Sequence, residues 1–298
     1  MFSTKSWDPD LLTQVETLEW RSKFLVEGFL QGLHRSPLRG FSSEFAQYHS
    51  YIPGDDLRHL DWGAFARLDR LYVREFEAET NLRCHFLADA SGSMAYRSEA
   101  APCRKYDYAA LLIAALIRLL HMQRDACGLS LSRSKLEDYL RPRLGRAHFF
   151  HCLGILETAP LQGACHLADC LDQLAELFPR CGLVAIFSDV WCDLKPLMAA
   201  LQHLRSQRHE VCLFQIVDPR ELDFQFSQSR LFEDMESGLR IPVALGWNRT
   251  HYLRELEKHQ KTLHQLCRDW GVTHQVFSTD RSPFVALAAF LAERESRP

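Results

Sequence analysis

From residue 82 onward the apolar positions follow two alternating rhythms. Within residues 82–88 an extended reading puts Cys84, Phe86 and Ala88 on one face and His85 and Leu87 on the other. Comparable short runs occur at 126–132, 183–187, 211–217 and 273–277. Helical spacing recurs between or after them, at 106–122, 166–178, 196–207, 252–270 and 283–293. Strand–helix alternation of this kind predicts a mostly parallel sheet with helices on both faces. Leu183-Val184-Ala185-Ile186-Phe187 is apolar throughout, as a central parallel strand buried on both faces should be.

The first third of the chain has a different pattern. Leu11, Leu12, Val15, Leu18, Leu25, Phe29 and Leu30 predict a helix over 10–33, which the breaker cluster from His34 to Gly40 ends. Between 41 and 78 a turn is expected at Tyr51-Ile52-Pro53-Gly54-Asp55-Asp56 and a strand at 71–76. The expected organisation is therefore an N-terminal helical segment (1–40), a strand–turn segment (41–81) and a main α/β domain (82–295).

Composition narrows the function classes. With 47% hydrophobic and 24% charged residues the chain has ample material for a core. A formal net charge of −3 gives no electrostatic footprint for nucleic acid. The longest apolar run, 108–117, is too short for a membrane span and reads as a buried helix. Neither a signal peptide nor a transmembrane segment is expected. The ten cysteines are scattered, with no C-x-x-C pair, which favours a reducing cytoplasm and argues against a zinc site of the usual spacing. His148 and His151, three apart on an expected helix, lack a further ligand in the same stretch and read as surface or core residues.

Candidate chemistry centres on Asp89-Ala90-Ser91-Gly92-Ser93, where a buried strand stops. An Asp there lies at the carboxyl edge of the sheet, where open α/β folds bind ligands. Asp89, Ser91 and Ser93 can converge three hard oxygen ligands on a cation such as Mg²⁺, or Mn²⁺ or Ca²⁺. The competing reading is helix capping, since Asp and Ser are also preferred N-caps. Asp189, after the strand at 183–187, is a second acid at the same edge. An ion held by so few carboxylates stays under-neutralised, and an acidic side chain from a partner completes its shell. The hydrolase elbow and P-loop patterns are absent, and Ser91 stands where an aspartyl-phosphate enzyme needs a second acid. The stretch Asp55, Asp56, Arg58, Asp61, Trp62 reads as a turn with local pairing, or as a partner surface.

Ser43-Glu44-Phe45, Tyr51-x-Pro53-Gly54-Asp55-Asp56-x-Arg58-x-x-Asp61-Trp62, Ala66-Arg67, Leu71-Tyr72-Val73-Arg74 and Phe76-Glu77 resemble the signature of the bacterial domain of unknown function 58 family. The resemblance continues through Asp89 to Met94, Lys105 to Ala109, Ser188-Asp189 and 287–294. It implies a three-layer, von Willebrand factor A-like (Rossmann-like) α/β domain with a metal-ion-dependent adhesion site. Family members are often encoded beside MoxR-type AAA+ ATPases and are thought to act as their adaptors. Such sites take a Thr from a loop after the third strand; here Gly163-Ala164-Cys165-His166-Leu167 puts Cys165 in that place. A protonated thiol is a poor ligand for a hard cation.

The expectation is a non-enzymatic cytoplasmic interaction module. Its partner-binding edge carries Asp89, Ser91, Ser93 and Asp189, and its expected partner is a MoxR-type ATPase. A metal-dependent phosphoester hydrolase using Asp89 is the alternative, together with a scaffold whose site holds no metal.

Overall fold

The computed structural model describes residues 17–33, 48–50, 72–74, 82–225, 230–236, 238–243 and 247–295. It divides into a large unit, residues 1–30 with 82–298, and a small one, residues 31–81. In the small unit β1 (Tyr48–Ser50) pairs antiparallel with β2 (Tyr72–Arg74), His49 opposite Val73. The turn expected at 51–56 lies outside the described residues.

The first described element of the large unit is α1 (Leu18–Leu33). The Leu18 amide donates to Glu157 Oε1 at 2.6 Å, and Arg118 donates to the Glu19 carbonyl and to Ser22 Oγ. The elements that follow are β3 (Arg83–Asp89), α2 (Lys105–Met122), β4 (Ala126–Ser132), β5 (Leu136–Arg143), α3 (Arg146–Thr158), α4 (Leu167–Leu177), β6 (Leu183–Ser188) and α5 (Leu194–Ser206). Then come β7 (Glu210–Val217), α6 (Pro219–Asp223), β8 (Arg230–Glu233), β9 (Arg240–Val243), α7 (Trp247–Asp269), β10 (Thr273–Ser278) and α8 (Pro283–Glu295).

Six strands form one sheet in the order β10-β7-β6-β3-β4-β5, parallel except for the edge strand β5. This is the three-layer, von Willebrand factor A-like arrangement. On one face Leu87, Val184, Ile186, Val211 and Leu213 pack with α4, α5 and α7. On the other, α2 buries fourteen of its eighteen residues beside β3, β4 and β7. Phe86, Phe187, Phe214 and Phe290 form a chain of rings there, with centroids 4.6 to 6.5 Å apart. The apolar run at 108–117 is thus the middle of a buried helix, and no helix among the described residues is long and apolar enough to cross a membrane.

The five strands expected in the main domain each begin and end within one residue of β3, β4, β6, β7 and β10. Residues 136–143 carry no such rhythm, because β5 is an edge strand with mostly exposed or half-exposed positions, an inward Pro142 and two register shifts against β4. Edge strands tolerate proline and need no apolar alternation. A separate hairpin, β8–β9, reverses through Asp234, Met235, Glu236 and Gly238; the Gly238 amide donates to the Asp234 carbonyl at 2.7 Å.

Candidate functional site

β3 and β6 are adjacent and parallel, with Ala88 opposite Phe187, so both strands deliver an acid at the same edge of the sheet. Asp89 is 2% exposed. Its Oδ1 accepts the Ser91 amide at 3.0 Å and its Oδ2 accepts the Ser188 hydroxyl at 2.6 Å. Ser91 Oγ and Ser93 Oγ are 3.0 Å apart. The helix that follows is a single 3₁₀ turn, Ser93–Ala95, whose N-cap is Gly92 with no side-chain cap bond. The hydroxyls of Ser91 and Ser93 are therefore not spent as its N-cap.

Asp189 is held from a second direction. Lys105, the first residue of α2 and 1% exposed, donates to Asp189 Oδ2 at 2.9 Å and to Glu221 Oε1 at 2.6 Å. Glu221 is fixed by a capping box at α6: its Oε2 accepts the Asp218 amide, and Asp218 Oδ1 accepts the Arg220 amide. Burial works against the Lys105 charge, but the two carboxylates outweigh it and hold the ammonium above its ordinary range. Gln215 Nε2 donates to the Asp189 carbonyl at 3.1 Å, which fixes the backbone.

Two loops close over these groups. The loop before α4 arrives through Gly92 N donating to the Gly163 carbonyl at 2.9 Å. It places the Cys165 thiol 3.1 Å from Ser132 Oγ, within the electrostatic reach of Asp89. Burial first, then the Asp89 charge, pushes the Cys165 thiol far up, so it stays protonated. The turn of β8–β9 arrives over Gly92, where a Cβ would collide with the Met235 carbonyl. Glu236 in that turn contacts the Ser93 hydroxyl; burial and then the charges of Asp189 and Asp89 raise its carboxyl.

Three carboxylates thus crowd one corner. Burial first and Asp189 second push Asp89 up to about 6, against the pull of the Ser188 and Ser91 hydrogen bonds. Mutual repulsion among buried acids is the electrostatic condition that a bound cation relieves. The oxygens of Asp89, Ser91, Ser93, Asp189 and Glu236 suit a hard divalent ion, whereas the neutral Cys165 thiol does not.

Residues 47–262 match the family described as protein of unknown function DUF58. The chain belongs to the DUF58 family. It is 29% identical over 299 residues to uncharacterized protein Rv1480 of Mycobacterium tuberculosis (strain ATCC 25618 / H37Rv), covering 96% of this chain and 90% of that protein. Uncharacterized protein Mb1516 of Mycobacterium bovis (strain ATCC BAA-935 / AF2122/97) gives the same values. Among solved structures it is similar to an aerotolerance-related membrane protein of Bacteroides fragilis NCTC 9343, at 15% identity and TM-score 0.49, over 72% of this chain and 98% of that one. It is similar also to the SpRpn10 VWA domain, at 11% identity and TM-score 0.42, over 70% and 93%.

In this DUF58 chain Asp89, Ser91, Ser93, Asp189 and Cys165 come together at one sheet edge. Asp55, Asp56, Arg58, Asp61 and Trp62 lie outside the described residues. Three further residues belong to the corner without having been singled out. Lys105 carried one signal, a lysine opening an otherwise apolar helix. Glu221 carried another, the Asp218-Pro219-x-Glu221 capping pattern. Glu236 carried none.

Proposed function

We propose that this DUF58 protein is a protein-interaction module whose von Willebrand factor A-like sheet edge binds an acidic group of a partner through a divalent cation. The observation that supports the reading is the convergence of the Asp89 and Asp189 carboxylates with the Ser91 and Ser93 hydroxyls at the carboxyl ends of adjacent strands. Asp89, Ser91 and Ser93 would hold the ion directly, Mg²⁺ being the first choice for an all-oxygen set. When bound, the ion supplies an unsaturated Lewis-acid position for a carboxylate. The chain's own residues do the rest. Ser188 orients Asp89, Lys105 fixes Asp189, and the β8–β9 turn limits the approach to one side. The partner class proposed is a MoxR-type AAA+ ATPase, the partner that the family resemblance implies.

One observation favours a second reading. The Lys105 ammonium already supplies a buried positive charge to Asp189. A scaffold that holds this edge together with Lys105 alone needs no metal.

A pull-down of the ATPase with and without chelator, repeated with Asp89→Ala, tests the first reading. Capture that depends on both the ion and Asp89 supports it. Capture indifferent to chelator, with a melting curve unchanged across millimolar Mg²⁺, replaces it with the metal-free scaffold.

A further inference from the structure

A second, chemically different cluster lies where α3 meets β4. Cys127 opens the buried part of β4, and His148 and Cys152 are one helical turn apart on α3. An i, i+4 pair on a helix presents both side chains to the same neighbour. Here that neighbour is Cys127. The ligating atoms of the three residues all lie within 4.8 Å of one another, the one such group of His, Cys and acidic side chains among the described residues. Cys152 Sγ is 3.7 Å from His148 Nε2, and His148 Nε2 donates to the Cys127 carbonyl at 2.7 Å. The Cys152 and Cys127 sulfurs lie within 4.8 Å of each other. Both cysteines are buried, whereas His148 is half-buried and opens the cluster to solvent on one side. His151, three residues after His148 on the same helix, is exposed.

We propose that Cys127, His148 and Cys152 form a binding site for a thiophilic metal ion, Zn²⁺ being the cation they suit best. Two thiolates and an imidazole are a soft donor set, in contrast to the oxygens around Asp89. Around tetrahedral Zn²⁺ the ligand atoms sit about 3.5–3.8 Å apart, given bonds of about 2.3 Å to sulfur and about 2.0 Å to nitrogen. The 3.7 Å between Cys152 Sγ and His148 Nε2 is close to the value of about 3.5 Å for a sulfur–nitrogen pair. Binding releases the two thiol protons to solvent. The imidazole proton moves from Nε2 to Nδ1, and Nε2 turns its lone pair from the Cys127 carbonyl contact to the metal. Three protein ligands leave a fourth position open to water or a small exogenous ligand, on the side where His148 reaches solvent. The usual sequence spacing of zinc sites is absent because one ligand comes from a strand and two from a helix, the nearer of them 21 residues later, brought together only by the fold.

The reduced full-length protein, freed of metal, is titrated with Co²⁺ under anaerobic conditions and then with Zn²⁺. The site predicts a thiolate-to-cobalt charge-transfer band with intense tetrahedral visible bands, both bleached by one equivalent of Zn²⁺, and release of two protons per Zn²⁺. Cys152→Ser should remove about half of the charge-transfer intensity, and Cys152→Ser and His148→Gln should each weaken Zn²⁺ by about tenfold or more. His148→Gln alters a half-buried position and keeps the test open if a cysteine variant folds poorly. Cys181→Ser, at an exposed cysteine, should leave the titration unchanged. Absence of a thiolate band in the wild type overturns the proposal. So does a band of undiminished intensity in Cys152→Ser, Zn²⁺ bound as tightly by Cys152→Ser and His148→Gln as by the wild type, or a Cys127–Cys152 disulfide in protein isolated under reducing conditions.

Discussion

Lys105 Nζ lies 2.9 Å from Asp189 Oδ2 and 2.6 Å from Glu221 Oε1, so one buried ammonium ties the first turn of α2 to the end of β6 and to α6. These partners are 84 and 116 residues away in sequence, and the ammonium also lies 5.8 Å from the Tyr96 ring. The contact therefore holds three elements of the functional edge in register.

Removing that ammonium leaves Asp189 and much of Glu221 buried without their counter-ion. Breaking a buried pair by deleting one partner costs about 3–5 kcal/mol, because the remaining charge stays desolvated. Lys105→Met should lower stability in urea by that order. If a divalent ion binds the corner, millimolar Mg²⁺ should recover part of the loss, by supplying the charge that the ammonium supplied. In the metal-free scaffold Mg²⁺ should recover none of it.

Asp89 sets a pH dependence of opposite sign to that of a salt-bridged carboxylate. Its folded carboxyl is raised to about 6 from an ordinary value of 3.8, so between these values the folded chain binds more protons than the unfolded one. Its contribution to stability is therefore largest below about pH 4 and falls as pH rises through about 6. Asp89→Asn removes the penalty. Without divalent ions it should be more stable than the wild type at pH 7, by up to about 2 kcal/mol, with the gap closing below pH 4. Denaturation at pH 7 and pH 4 measures this, and an equal offset at both values would argue against the buried repulsion between Asp89 and Asp189.

His85 works in the other direction. Burial first and the nearby His209 second depress its pKa to about 3, from 6.5. The ring is stacked 5.2 Å from Tyr139, and its Nε2 meets Ser130 Oγ at 2.8 Å. Between pH 6.5 and about 3 the unfolded chain takes up a proton that the folded chain refuses. Stability then falls by about 1.4 kcal/mol per pH unit for this group alone. His85→Phe keeps an aromatic ring in the stack and should show a shallower acid slope by about that amount. An unchanged slope between pH 6 and pH 4 would mean that the ring is not charged on unfolding in this range.

How much of this was legible in the sequence follows from what each feature depends on. The strands and their two acids were legible because burial on both faces imposes an apolar run, and the run ends where the sheet ends. β5 was not, because an edge strand is under no such demand. The partners of Lys105 were not legible either: ionic pairing depends on chain segments that only the fold brings together. The same holds for Cys127 with His148 and Cys152, whose residue types were visible but whose proximity was not. Glu236 reaches Ser93 through a hairpin whose short strands carry no apolar rhythm.

Gly92 tests whether that hairpin covers the edge. Its φ of −59° suits any residue, so glycine is required for space alone, beneath the Met235 carbonyl. Gly92→Ala should push the β8–β9 turn away while leaving the sheet intact. The expected result is faster proteolysis within 230–243 and faster amide exchange at Gly238, with little change in global melting temperature. Equal protection in both proteins would mean that the turn accommodates the methyl and does not depend on this contact.

Cys165 bears most directly on the ion. Its thiol meets Ser132 Oγ at 3.1 Å, and burial with the Asp89 charge keeps it protonated. It therefore stands near Asp89 as a neutral group and offers a hard cation nothing. Cys165→Thr puts a hydroxyl oxygen at nearly the same place, with a methyl to fill the remaining volume. That oxygen can donate to Ser132 or ligate an ion beside Asp89, Ser91 and Ser93. The variant should bind Mg²⁺ about tenfold more tightly, since one added oxygen ligand is worth at least a hydrogen bond to a charged group, about 1.5 kcal/mol. Calorimetric titration of wild type, Cys165→Thr and Cys165→Ala separates the contributions. Alanine removes the thiol without adding oxygen, so it should not tighten binding as threonine does. If threonine and alanine behave alike, the loop before α4 does not reach the ion, and the coordination falls to Asp89, Ser91, Ser93 and water.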